Sequence, residues 1–333
     1  MEERKFWIEK ILDRVPLPYT ITSALLGAFL YFIWLVVAIR SELEFSVFAK
    51  DPWFIIISSF IAFLLGAMKY ISNDIRRLSS RVREIFDMTD VDFESFFIRR
   101  HKSIFSSRHL VVGIPIIITF LVYAYLTRSY WIHREYNFAI YLTGVVYWIL
   151  ICLIFGMASW CAGWGFQFYW WVGRKAPLRL RPLRADKVGG LSPITQQHLK
   201  ATFLMAVGMS FLILLFETAR FVISGFCIFL ILFYFFAPQY HLHQPLAKLK
   251  KKTLEEIGRR LYERSADFLR TLDDDSANKK EISQDIQTLK LLLTNIDRMR
   301  EWPFDFGIAL KAIGSAMLPI LVFVLDLLPH LGI

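Results

Sequence analysis

FAIYLTGVVYWILICLIFGM, residues 138–157, is twenty residues without one charged side chain. As a helix rising 1.5 Å per residue, such a segment crosses the roughly 30 Å hydrocarbon core of a bilayer. It is apolar all round rather than alternating, which excludes a barrel strand. Helices and closed barrels are the only spanning structures that satisfy their backbone groups in lipid. Outward from this stretch, runs of the same kind recur. Spans are placed at Pro18–Ile39, Trp53–Met68, Leu110–Leu126, Phe138–Met157, Ala201–Phe216, Phe221–Phe236 and Phe306–Leu328. After Met157 the aromatics Trp160, Trp164, Phe166, Tyr169, Trp170 and Trp171 continue the pattern. They fit either a longer tilted helix or an interfacial segment at headgroup depth. The expected fold class is all-α, a polytopic membrane protein with about seven transmembrane helices and long cytoplasmic helical extensions.

Composition agrees. The chain is 56% apolar with 31 Phe and 10 Trp, against about half apolar for a soluble domain. Residues 1–16 are charged and amphipathic, and no small-residue cleavage site ends the first run, so that run is expected to be a retained span. The three cysteines, Cys152, Cys161 and Cys227, lie in apolar surroundings with no C-x-x-C pair, so neither a disulfide framework nor a zinc site is expected.

Charge sets the orientation. With the N-terminus inside, segments 1–17, 69–109, 172–200 and 237–305 carry 33 of the 39 Lys and Arg, and the outer loops carry five. That is the positive-inside pattern. The expected location is the plasma membrane, with the N-terminus cytoplasmic and the C-terminus outside. The net charge of +10 is then matched to the anionic inner leaflet. The expected partner is the lipid bilayer rather than nucleic acid.

The organisation expected is a membrane domain over 1–237 with cytoplasmic helical loops at 70–109 and 172–200, a cytoplasmic helical hairpin at 238–302, and a final transmembrane helix at 303–333. In the first loop Ile71, Ile75, Leu78, Val82 and Ile85 recur at helical spacing, so either the second span continues as an amphipathic helix or a helix lies on the membrane surface. Phe86, Phe93, Phe96, Phe97 and Phe105 are there to pack on neighbours. In the hairpin Ile282, Ile286, Leu289, Leu293 and Ile296 form a heptad-like stripe. Asn278 and Glu281 resemble a helix-start pair.

Residues 181–197, RPLRADKVGGLSPITQQ, form the most motif-like stretch. Gly189 and Gly190 permit positive φ, and Ser192 before Pro193 suits a helix start. One reading is an anion cradle of Lys187, Gly189, Gly190 and Ser192 at a helix N-terminus. The other is a turn that starts the fifth span. The glycine spacing fits neither a P-loop nor a dinucleotide fingerprint. The Asp-Lys-x-Gly-Gly-Leu-Ser-Pro string resembles segments of uncharacterised prokaryotic membrane proteins.

Little else points to a reaction, and the chain is not expected to be an enzyme. His241 and His243 are two apart and do not share a helix face, so they join His198 at a metal only in an extended turn. No H-E-x-x-H, no G-x-S-x-G and no intramembrane Asp pair occurs. The run Asp273–Asp275 reads as a solvated turn. Neither a resident metal nor another cofactor is expected. No matching halves of the kind seen in inverted-repeat transporters are visible.

The last helix is the functional candidate. At about 100° per residue, Gly307, Lys311, Gly314, Ser315, Leu318, Val322 and Asp326 share one broad face. Ala309, Ile313, Ala316, Ile320, Phe323, Val324 and Leu327 share the other. A lysine inside a span either faces a bundle interior or a wet cavity, or snorkels to the interface.

In topology the layout resembles the insect odorant and gustatory receptor channels. Those have seven spans, an inner N-terminus, a short turn between spans five and six, and cytoplasmic helices that anchor four subunits around a pore lined by the last span. The matching parts here are Glu217–Arg220, the 238–302 hairpin and Phe306–Leu328. The resemblance implies a homo-oligomeric ion channel with the seven residues of that first face lining the pore. The alternatives are a transporter or lipid-handling membrane protein, and a structural or signalling membrane effector.

Overall fold

The computed structural model describes residues 10, 14–41, 53–104, 110–127, 138–184, 186–215, 220–270 and 278–327. Its helices are α1 (Tyr19–Arg40), α2 (Trp53–Val82), α3 (Asp90–Ile104), α4 (Leu110–Thr127), α5 (Phe138–Lys175), α6 (Ser192–Leu215), α7 (Arg220–Arg270), α8 (Asn278–Asp297) and α9 (Phe306–Leu327). A 3-10 turn over Arg83–Ile85 closes α2.

Among the described residues, six helices are long and apolar enough to cross a bilayer: Tyr19–Arg40, Trp53–Ile85, Phe138–Lys175, Ser192–Leu215, Phe221–Arg270 and Phe306–Leu325. The third expected span falls on α4, which registers only as the shorter apolar stretch Leu110–Thr119 among the described residues. The segment after Met157 is not a separate interfacial piece. α5 runs unbroken for 38 residues, about 57 Å at 1.5 Å per residue. α7 is longer still at 51 residues, so the sixth apolar run and the first hairpin helix are one rod. The turn over 217–219, the run Asp273–Asp275 and Phe105 lie outside the described residues.

Apolar periodicity explains the packing. α2 is the central helix, with α1 on one side and α5 and α6 on the others. Ile57, Phe60, Ile61, Leu64 and Leu65 form its buried stripe, packed with Trp148, Ile151 and Ile154 of α5. The Tyr147 hydroxyl donates to the Leu30 carbonyl and joins α5 to α1. α9 packs on α6 and α7, where Ala206, Ile231 and Ala316 meet. Large apolar side chains face outward, among them Phe29, Phe32, Ile114, Phe226, Phe229 and Leu321. On a water-soluble protein such a belt would be an aggregation surface, whereas against lipid it is at no disadvantage.

A second core gathers at the basic end of the bundle. Leu78, Val82 and Ile85 continue the α2 stripe and meet Phe86, Phe93, Phe97, Val172, Leu191 and Leu242. Expected contacts of the first long loop are therefore present. α8 folds back along α7 in antiparallel register: Arg264 pairs with Asp285 at 3.3 Å, and Lys250 with Glu301 at 3.6 Å. Of the hairpin stripe, Ile282 and Ile296 are buried, while Ile286, Leu289 and Leu293 are half-buried.

Candidate functional site

The residues chosen on α9 differ in exposure. Asp305 caps the helix: its Oδ1 accepts the Ile308 amide at 2.8 Å. The side buried against α6 and α7 carries Ala312, Ser315, Ala316 and Pro319. These small side chains let the helices approach closely. Gly307, Lys311 and Gly314 are exposed, and Leu318 and Val322 are half-buried. Ser315 is turned inward, with Oγ donating to the Lys311 carbonyl at 2.8 Å. The Asp326 side chain lies outside the described ones. On the face assigned as the opposite one, Ala316 is buried while Ile313 and Val324 are exposed.

What the structure does bring together is a groove of about 600 Å³ between α2, α6 and α9. Lys311, Gly314, Ser315 and Leu318 form one wall, with Leu199, Lys200, Phe203 and Leu204 opposite and Tyr70 at the end. Lys311 forms no ion pair among the described residues. Lys200 Nζ lies 3.5 Å from Asp74 Oδ2 and 5.8 Å from the centre of the Tyr70 ring. Two lysines thus belong to a mostly apolar lining, Lys200 with Asp74 beside it. Sequence periodicity had found Lys311, but not Lys200, because α6 comes from a distant part of the chain.

The glycine stretch is a turn in which several amides are bonded within the chain. Asp186 Oδ1 accepts the amides of Val188 at 3.2 Å and Gly190 at 3.1 Å. Lys187 and Gly189 take φ of 57° and 66°. The Lys187 carbonyl accepts the Arg300 amide at 2.9 Å, and Ser192 Oγ accepts Gln196 Nε2 at 3.2 Å. Gly190 has φ 102°, and a Cβ there would stand 2.5 Å from Ile85 Cγ2. The loop is stitched to the end of α2 by Arg179 N to Ile85 O and Asp87 N to Pro177 O, both 2.8 Å. This geometry matches the turn reading. A carboxylate of the chain's own occupies the place an external anion would take.

Among the described residues, His198, His241 and His243 have separate partners. His198 is fully buried, and the Gln239 Nε2 amide donates to its Nδ1 at 2.8 Å. Thr195 Oγ1 donates to Gln239 Oε1 at 3.5 Å, and the Tyr169 hydroxyl to Gln197 Oε1 at 2.8 Å. His243 Nδ1 contacts the Glu301 carbonyl at 2.9 Å, and the His241 ring lies against Trp170. Among the described residues no group of three His, Cys, Asp or Glu is placed to hold a metal ion.

Compared with family models, curated proteins and solved structures, the chain matches none. The groove and its two lysines therefore carry the functional argument alone.

Proposed function

We propose that this is a multi-pass membrane protein that binds an anionic amphiphile of the phospholipid class from the inner leaflet. In this reading α4 is a seventh crossing, the N-terminus is cytoplasmic and the basic end of the bundle faces the cytoplasm. The observation that carries it is the pair Lys200 and Lys311 at the groove between α6 and α9. Lys200 is eight residues into α6 and Lys311 five residues past the start of α9. Both therefore lie near the basic ends of their helices, at headgroup depth for a helix entering there. A basic side chain near an anionic surface contributes about 1 kcal/mol. Phe203, Leu204 and Leu318 offer hydrocarbon below the head.

The test is native mass spectrometry of detergent-purified protein offered phosphatidylglycerol and phosphatidylcholine together. The wild type should retain phosphatidylglycerol preferentially, and Lys200→Gln/Lys311→Gln should bind the two lipids equally. Equal retention by the wild type would refute the reading.

A homo-oligomeric channel is the second reading. It is favoured by the uncovered α9 face at Gly307, Lys311 and Gly314, and by the exposed Tyr262, Leu269 and Leu291 on the hairpin. Subunits joined through the hairpin would bring the α9 faces around one axis, where rings of lysine favour anions. Anion conductance in reconstituted bilayers, reversed or abolished by Lys311→Glu, would support it. A protein that conducts under no voltage, pH or calcium condition would not be a channel.

A further inference from the structure

We propose that the groove is the entrance of a longer site, and that one acyl chain of the bound lipid passes Leu204 into the interior of the bundle. This rests on the lipid reading above and adds where the tail goes. A cavity of about 370 Å³ lies between α2, α5, α6 and α7. A second space of about 380 Å³, open to the side, lies between α1, α2 and α6. The three spaces share walls. Tyr70 and Leu204 line both the groove and the side space, and Phe63, Ala67 and Leu204 line both the side space and the cavity. Leu204 borders all three.

Helix geometry explains the continuity. On α6, Lys200, Leu204 and Gly208 stand one turn apart on one face, and on α2 Asp74, Tyr70, Ala67 and Phe63 do the same. Lys200 meets Asp74 at one end of this seam. At the other, Gly208 is buried beside Phe63, which a Cβ there would meet in ordinary contact at 3.5 Å. The seam therefore runs from charged to apolar, the polarity profile of a lipid. Leu204 is half-buried rather than locked into the core.

The cavity suits hydrocarbon. Its walls include Phe63, Phe155, Met205, Met209 and Phe233. Methionines adapt to irregular contents. At roughly 30 Å³ for a group the size of water, the space holds on the order of a dozen such groups. The cavity is open on the α7 side, where Phe233 is exposed, and apolar walls hold water poorly. The Tyr169 hydroxyl at its edge is already bonded to Gln197.

The test uses full-length protein in nanodiscs of phosphatidylcholine with an equal amount of phosphatidylglycerol that carries a photoreactive diazirine at the end of one acyl chain. Adducts are mapped by peptide mass spectrometry, and headgroup preference is measured in parallel. Adducts at Phe155, Met205 and Met209, lost in Leu204→Trp and kept in Leu204→Ala, are expected. Preference for phosphatidylglycerol with wild-type adducts confined to exposed positions such as Phe203 and Leu321 would overturn the tail path and leave the groove standing. Absence of headgroup preference would overturn the groove and this inference with it. The wild-type map decides between these outcomes even if Leu204→Trp fails to fold.

Discussion

Asp305 stands where the chain turns back into the apolar helix α9, and two of its contacts can be tested separately. The Ile308 amide, and then Arg300 and Lys311, hold its carboxyl below the usual 3.8. Because the folded value is depressed, the stability it contributes is present above the ordinary carboxylate range. It is lost as pH falls through the folded value. Thermal unfolding of detergent-purified protein should show an acid-dependent loss below about pH 4 that Asp305→Asn lacks, since Asn keeps the cap acceptor without titrating. Asp305→Ala should cost about 1 kcal/mol at neutral pH, and an unchanged melting profile would contradict the cap. Gly190 is the second residue with a sharp expectation. With φ 102° and Ile85 in the way of a Cβ, Gly190→Ala should destabilise by about 1–3 kcal/mol, read as a lowered melting temperature. The tight turn was legible in the sequence from the two glycines. Its occupant was not, although Asp186 two residues before Val188 is the spacing at which a carboxylate bonds a nearby backbone amide.

At the scale of elements, run length alone revealed most helices, and the 3.6-residue period identified the α2 continuation and the hairpin stripe. The face of α9 was harder. Periodicity separates two sides but does not say which one is covered. Grouping by polarity put Ser315 with Lys311. Both line the groove, but packing buries Ser315 with Ala312 and Ala316 and leaves Lys311 exposed, because α6 and α7 come close on that side. The hairpin offers a direct check. Ile296 is 1% exposed and Leu291 65%. Ile296→Ala should cost about 2–4 kcal/mol, whereas Leu291→Ala should stay within about 0.5 kcal/mol in the isolated chain. Equal effects on thermal stability would mean that Leu291 is covered by another copy, as anchored subunits require.

At the scale of the whole molecule, the helical class followed from unbroken apolar runs and the expected orientation from lysine and arginine placement. The neighbours did not follow from either. The contact of α2 with α6 that sets Lys200 beside Asp74, and the Gln239–His198 bond across 41 residues, leave no local mark in the sequence. Gln239→Leu should leave His198 and Thr195 without their partner and destabilise by about 1–3 kcal/mol, with thermal unfolding as the measure. The lipid groove, which likewise exists only once α2, α6 and α9 are assembled, is tested most directly by a cryo-electron microscopy map of the protein in phosphatidylglycerol-containing nanodiscs. We expect elongated density with its head between Lys200 and Lys311 and its tail directed toward Leu204. A groove filled by the α9 of a neighbouring copy, with no lipid density against either lysine, would contradict it.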